Sequence, residues 1–217
     1  MQKISFLFLL LILGIALIGV YQSMFPVPTV TAYDRFFALS SFFLLCISLI
    51  IGPLVTIWPK EYAQLIEPRR AVGITTFIFI VLHFFLAMTS VFNWQLNVIL
   101  ASVPSLVAVL ATVILLILTL TSSDFAVKVL GPVWWKRIQQ FNYLAFILSF
   151  VHFVLRANGL FTPIGTKVFV NLSEVALVLL GVATVGLQIA GFVTRKNREK
   201  ILKEKSAQTL STDHGGG

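Results

Sequence analysis

The sequence has 217 residues, of which 58% are hydrophobic and only 11% charged, with a mean hydropathy of +0.97. Several apolar runs of about 20 residues, long enough to cross a bilayer as helices, exclude an ordinary soluble domain. The formal charge of +8 does not imply a nucleic-acid partner, because no basic stripe is interleaved with aromatics and membrane proteins collect Lys and Arg in cytoplasmic loops.

Residues 4–20 are apolar behind Lys3 and are expected to form a first helix. No small-x-small cleavage site follows that would mark a signal peptide, and Tyr21-Gln22-Ser23 stands in its place. Residues 24–35 carry Pro26 and Pro28 and read as a loop. The second span is 36–58, closed by Pro59, with Gly52-Pro53 predicting a kink near its end. It holds Cys46, the single cysteine, which reads as a small buried hydrophobe and excludes an intrachain disulfide or a cysteine-held iron–sulfur cluster. Residues 60–70 are polar and charged, hence a loop, and 71–92 is the third span, carrying His83.

A short turn over 93–97 places Trp94 at interface depth, and 98–120 is a fourth span rich in Val, Leu and Ile. Residues 121–137 form a longer connection with Gly131-Pro132 and with Trp134-Trp135, suited to the headgroup belt. The fifth span, 139–156, carries His152; residues 157–166, with Asn158-Gly159 and Pro163, form a loop; and 167–194 is the last span. The tail, 195–217, opens strongly basic and closes in Ser, Thr and Gly, so it is expected to start as an amphipathic helix and finish disordered, with His214 solvated. The expected architecture is therefore all-α: one six-helix transmembrane bundle over 1–194 with a basic tail, no repeat and no second domain.

Six spans put both termini on one side, and the charges say which. Lys3, Lys60, Arg69, Arg70, Lys128, Lys136, Arg137 and six cations of the tail fall on the side of the termini, against Arg35, Arg156 and Lys167 on the other, 13 to 3. Both termini are expected to be cytoplasmic.

A titratable, metal-ligating imidazole is costly in hydrocarbon unless it has a partner. Spans three and five run in the same direction; His83 lies 13 residues after Arg70 and His152 lies 13 after Gln139. At about 1.5 Å per residue both sit roughly 20 Å above the inner boundary. Equal depth on parallel helices is the geometry that lets two histidines grip one haem iron from opposite sides. Small residues at helical spacing leave room for a flat porphyrin: Ser149 and Ala145 beside His152, and Thr76, Ala87 and Ser90 beside His83. Arg156, one turn above His152, can pair with a propionate. The competing reading is that both histidines are structural and hydrogen-bond helices together, in a haem-free membrane scaffold or small transporter.

The stretch Glu67-Pro68-Arg69-Arg70-Ala71-Val72-Gly73, continued to Leu82-His83-Phe84, resembles the Arg-Arg-x-x-Gly…Leu-His pattern of the ferric reductase-like transmembrane family. Thr121-Ser122, Leu130-Gly131, Trp135-Lys136-Arg137-Ile138, Tyr143-Leu144-Ala145 and Leu49–Leu54 add to the resemblance, which covers roughly 34–195. It is nearest to the bacterial branch that serves periplasmic methionine sulfoxide reductases. The resemblance implies a multi-pass protein of the bacterial plasma membrane that carries electrons through b-type haem, with outer haem ligands at His83 and His152. It implies a periplasmic reductase subunit as acceptor, a quinol or a cytoplasmic flavin reductase as donor, and quinone or FMN as further cofactors. A ferric-chelate reductase acting directly on outer-side iron is the alternative within the family.

One departure stands out. Where the family has Trp-x-x-Leu-His-Arg-Leu-x-Tyr, this chain reads Trp135-Lys136-Arg137-Ile138-Gln139-Gln140-Phe141-Asn142-Tyr143. Gln139 replaces the inner histidine, and Arg69 and Arg70 occupy the counterpart region, so a single haem b is expected. Arg69 and Arg70 are candidates for a quinone head, a flavin phosphate or a haem propionate; topology anchoring is the simpler role for both. Glu174 reads as a helix cap, Gln188 lies deeper in the last span, and the basic tail contacts membrane lipid. No nicotinamide-binding fingerprint, phosphate-cradling glycine loop or Ser-His-Asp arrangement appears.

Overall fold

The computed structural model describes residues 2–24, 28–156, 161–164 and 167–213. In chain order these form α1 (Gln2–Ser23), α2 (Thr29–Ile57), α3 (Pro59–Tyr62), a 3-10 turn (Ala63–Leu65), α4 (Ile66–Ser90), α5 (Leu96–Ala101), α6 (Val103–Leu120), α7 (Asp124–Gln140), α8 (Asn142–Arg156), β1 (Phe161–Ile164), β2 (Lys167–Val170) and α9 (Leu172–Asp213). Six helical stretches are long and apolar enough to cross a membrane: Lys3–Ser23, Thr29–Ile57, Pro59–Ser90, Val103–Leu120, Asp124–Arg156 and Leu172–Ser206. The chain is thus a multi-pass membrane protein, with six candidate spans among the described residues.

Helix α2 is the hub, packing along α1, α4 and α9, while α6 and α8 form a second closely packed pair. Its side chains Leu44, Cys46, Leu49 and Ile51 are nearly or fully buried, in agreement with the reading of Cys46. Phe42 of α2 stacks on Phe146, Phe150 and Phe153 of α8, with centroids 4.8–6.1 Å apart, tying the two pairs together. Close approach of α1 to α2 depends on Gly14, where a Cβ would lie 2.4 Å from the Phe43 ring.

Several boundaries differ from the sequence reading. Helix α2 begins at Thr29, so 29–35 is helix rather than loop; Pro28 sits at its N-cap, where a proline's fixed φ leads into a helix instead of breaking it. The expected loop 60–70 is also largely helical, as α3, the 3-10 turn and the start of α4. Span four is shorter than 98–120: the chain is extended at Ser102, and Pro104 in the first turn of α6 has no N–H to continue α5. The expected connection 121–137 is mostly α7, capped by Ser123, which accepts from the Ala126 N–H, and kinked at Gly131. That glycine has φ 72° and ψ 156°, a conformation a side chain would oppose.

Beyond α8 the chain forms a two-stranded antiparallel hairpin, with Phe161 opposite Val170 and Ile164 opposite Lys167. The architecture is therefore helical with one small hairpin, and the last span starts at Leu172, not at residue 167. Helix α9 runs unbroken to Asp213, carrying the basic tail as helix. The proposed Asn158-Gly159 turn and His214 lie outside the described residues.

The start of α1, the α2–α4 turn and the basic part of α9 share one end of the bundle. Lys3 donates to the Glu61 carbonyl and sits 4.9 Å from the Tyr62 ring centroid, and Arg198 donates to the Ile57 carbonyl.

Candidate functional site

The α2–α4 pair and the α6–α8 pair face one another across a cavity of about 430 Å3. His83 enters from α4 and His152 from α8, so the two imidazoles line it from opposite layers. Much of the wall is apolar, with Phe42, Leu45, Ile80, Leu115 and Phe153, and it is relieved by small residues such as Ala38, Ala87, Ala108 and Ser149. Ser149 and Ala87 therefore stand where helical spacing puts them. Ala145 is packed in the core, Thr76 is buried and donates to the Val72 carbonyl, and the exposed Ser90 donates to the Leu86 carbonyl; these three do not line the cavity.

Each imidazole is held by one ring nitrogen. His83 Nδ1 lies 2.8 Å from Asp34 Oδ1, across α4 and α2. His152 Nδ1 lies 2.8 Å from the Pro104 carbonyl oxygen, across α8 and α6. A carbonyl oxygen only accepts, so His152 donates from Nδ1, and a carboxylate selects the same tautomer at His83. Nε2 has no protein partner in either ring among the described residues. This is the arrangement of a metal-binding histidine, whose far N–H is oriented by a carboxylate or a backbone carbonyl. The Pro104 carbonyl is in the first turn of α6, after the break at Ser102.

The polar groups gather at one end. Arg156 donates to Ser105 Oγ at 3.2 Å and lies 5.6 Å from the Phe92 ring centroid. Arg35 and Glu174 line the same cavity. Asn171 caps α9, its Oδ1 accepting from the Ser173 hydroxyl and the Glu174 N–H, and its amide donates to Glu174 Oε1 at 2.8 Å. Glu174 is thus in the capping turn, as expected, although the cap itself is Asn171. Its Oε2 is buried without a partner among the described residues.

The remaining candidates lie elsewhere. Arg70 does not reach the histidine cavity: it pairs with Asp124 at the start of α7, at 2.7 Å and in an exposed position. Gln139 caps α6, its amide donating to the Leu118 carbonyl and to Thr121 Oγ1, at 3.3 and 3.2 Å. Trp135 donates to the Thr121 carbonyl beside it at 2.9 Å. Arg69 and Gln188 serve the stretch of α2 around Pro53. Pro53 has no N–H for the Leu49 carbonyl, which instead accepts from Gln188 Nε2 at 2.7 Å, and the neighbouring Ser48 carbonyl accepts from Arg69 Nε at 3.0 Å.

Sequence reasoning missed Asp34, Arg35, Ser105 and the Pro104 carbonyl. The signal for Asp34 was present: it is one of only 8 acidic residues and stands, with Arg35, at the head of a long apolar run. The two prolines before it drew that segment into a loop. The Pro104 carbonyl carried no signal, since a backbone acceptor is legible only once the helices are placed.

The residues present fit a haem b on two observations. The wall is apolar, and Arg35 and Arg156 stand at one end with Glu174, so two cations are available there to anionic propionates, in a cavity of ordinary ligand size. Two imidazoles facing one space would together hold a haem iron. Among the described residues no group of three or more His, Cys, Asp or Glu side chains is placed to hold a bare metal ion.

No family model matches the chain. Over 131 residues it is 31% identical to the magnetosome protein MamZ of Magnetospirillum gryphiswaldense, a stretch that is 58% of this chain and 20% of MamZ. The chain therefore spans about one fifth of that relative's length.

Proposed function

We propose that this protein is a membrane cytochrome subunit, holding one b-type haem between His83 and His152 and relaying electrons to an acceptor on the side opposite its termini. The observation that carries this reading is the pair of imidazoles lining one cavity from opposite layers, each with Nδ1 engaged and Nε2 left over. A haem held there would supply one-electron chemistry; the chain's part is to bind, orient and tune it. His83 and His152 would hold the iron, Asp34 and the Pro104 carbonyl would orient their rings, and Arg156 and Arg35 would pair with the propionates. By the excess of Lys and Arg at their end, the termini are cytoplasmic and the acceptor periplasmic. A periplasmic reductase subunit fits that acceptor, and a quinol or a cytoplasmic flavin reductase fits the donor.

The test is a reduced-minus-oxidised visible spectrum of the purified protein, with haem counted per chain by pyridine haemochrome. A sharp alpha band at about one haem per chain is expected, lost in both His83→Ala and His152→Ala. Normal haem content in both variants would overturn the assignment.

A second reading has its own support. Both histidines tie helices together, α4 to α2 and α8 to α6, as in a haem-free scaffold or transporter. That reading requires a colourless protein that tolerates His→Gln at both positions after expression with haem supplied.

A further inference from the structure

A second cavity, of about 500 Å3, opens at the end of the bundle that holds the termini, between α2, α4, α8 and α9. Its polar lining is cationic or neutral: Arg69, Arg195, Tyr143, Gln188 and Thr56, with no Asp or Glu. Arg69 is the central group. Its Nε is spent on the Ser48 carbonyl, and its guanidinium lies over Gly52, where an added Cβ would meet Nη1, Cζ and Nη2 at 3.6–3.9 Å. Among the described residues Asp124 pairs with Arg70, Glu204 with Lys200, and Asp34 hydrogen-bonds His83, so Arg69 has no carboxylate partner. A guanidinium held inside a membrane span without a counter-charge is costly, and such groups pair with anions.

We propose that this pocket binds a phosphate group through Arg69, Arg195 and Tyr143, presented by an anionic phospholipid of the leaflet on the side of the termini. Planar guanidinium groups match phosphate oxygens in pairs, and basic pockets between membrane helices take lipid headgroups. The pocket's rim favours a lipid as the source, because Ile66 and Phe192 are both more than half exposed beside the cationic groups. That places acyl-compatible surface next to the anion site. The role of Arg69 here is independent of what fills the histidine cavity.

The experiment is native mass spectrometry of the full-length protein released from nanodiscs of equal phosphatidylglycerol and phosphatidylcholine. One phosphatidylglycerol per chain is expected to stay bound, at least tenfold over phosphatidylcholine, and to fall at least tenfold in Arg69→Gln and in Arg195→Gln. Arg69→Gln also loses the Ser48 contact between α4 and α2. Arg195→Gln touches an exposed residue and keeps the test open. A parallel arm adds flavin mononucleotide to lipid-poor detergent samples. Its retention in place of phosphatidylglycerol, abolished by both variants, would support the phosphate pocket and assign it to a soluble ligand. Equal retention of the two lipids, or phosphatidylglycerol binding unchanged in both variants, would overturn the proposal. The haem band of the same samples reports the histidine site separately.

Discussion

Asp34 is the residue through which the proposed haem site can be tested most sharply. Its carboxylate lies 2.8 Å from His83 Nδ1, and the two side chains are only 12% and 25% exposed. The contact is therefore a charge-assisted hydrogen bond in a largely dry setting, worth about 1.5–3 kcal/mol. Asp34→Asn keeps an oxygen that can accept from Nδ1 but removes the charge. Asp34→Ala removes the acceptor and leaves a buried N–H unpaired, costing about 1–3 kcal/mol. Loss of such an outer partner typically weakens metal binding about 10- to 100-fold, equivalent to about 1.4–2.7 kcal/mol. The expected order of haem retention in dilute detergent is wild type, then Asp34→Asn, then Asp34→Ala. The midpoint potential should rise in Asp34→Asn, since a nearby negative charge favours the oxidised iron. The assays are haem per chain by pyridine haemochrome and a spectroelectrochemical titration. Wild-type retention and potential in Asp34→Ala would refute the orienting role, and a fall in thermal stability alone, in a colourless protein, would favour the scaffold reading.

Arg156→Ala, which loses the Ser105 and Phe92 contacts, should lower haem retention severalfold, with Arg156→Lys intermediate; the readout is the same haem count. Gln188→Ala should destabilise the bundle by about 1–3 kcal/mol, because the Leu49 carbonyl left open by Pro53 then has no donor. In a Pro53→Ala background that cost should shrink, as residue 53 regains an N–H; a thermal-unfolding double-mutant cycle in detergent measures the difference. Gly191→Val places a side chain against Pro53, whose Cα would be 3.1 Å from the new Cβ. It should force α9 away from α2 and cost about 1–3 kcal/mol in the same assay. Gln139→His should leave the haem count unchanged, because that side chain faces the end of α6 rather than the histidine cavity; a second haem in this variant would contradict the placement.

Much of the path to the site was legible from residue order. The six apolar stretches follow from the cost of leaving backbone groups unpaired in hydrocarbon, which makes long apolar runs helical whatever their neighbours. His83 and His152 stood out because imidazoles are rare and expensive inside such runs. Counting residues from a charged boundary then gave their expected depths, since the rise of a helix does not depend on tertiary contacts. Boundaries were less legible where prolines lie. Pro28 leads into α2, Pro104 interrupts a run of apolar residues, and Pro132 follows a kink inside α7, three different outcomes for one residue type.

The order of residues by itself determined the helical, membrane-spanning class, the two candidate ligands and the gathering of positive charge at one end. Composition and local periodicity carry those properties. Tertiary structure alone decided which polar groups meet: Asp34 with His83, the Pro104 carbonyl with His152, Gln188 with the carbonyl beneath Pro53, and Arg70 with Asp124 instead of the cavity. Each of these contacts joins residues at least 48 apart in the chain. Their existence depends on the rotation and lateral placement of whole helices, and hydropathy, which reads each helix alone, contains neither.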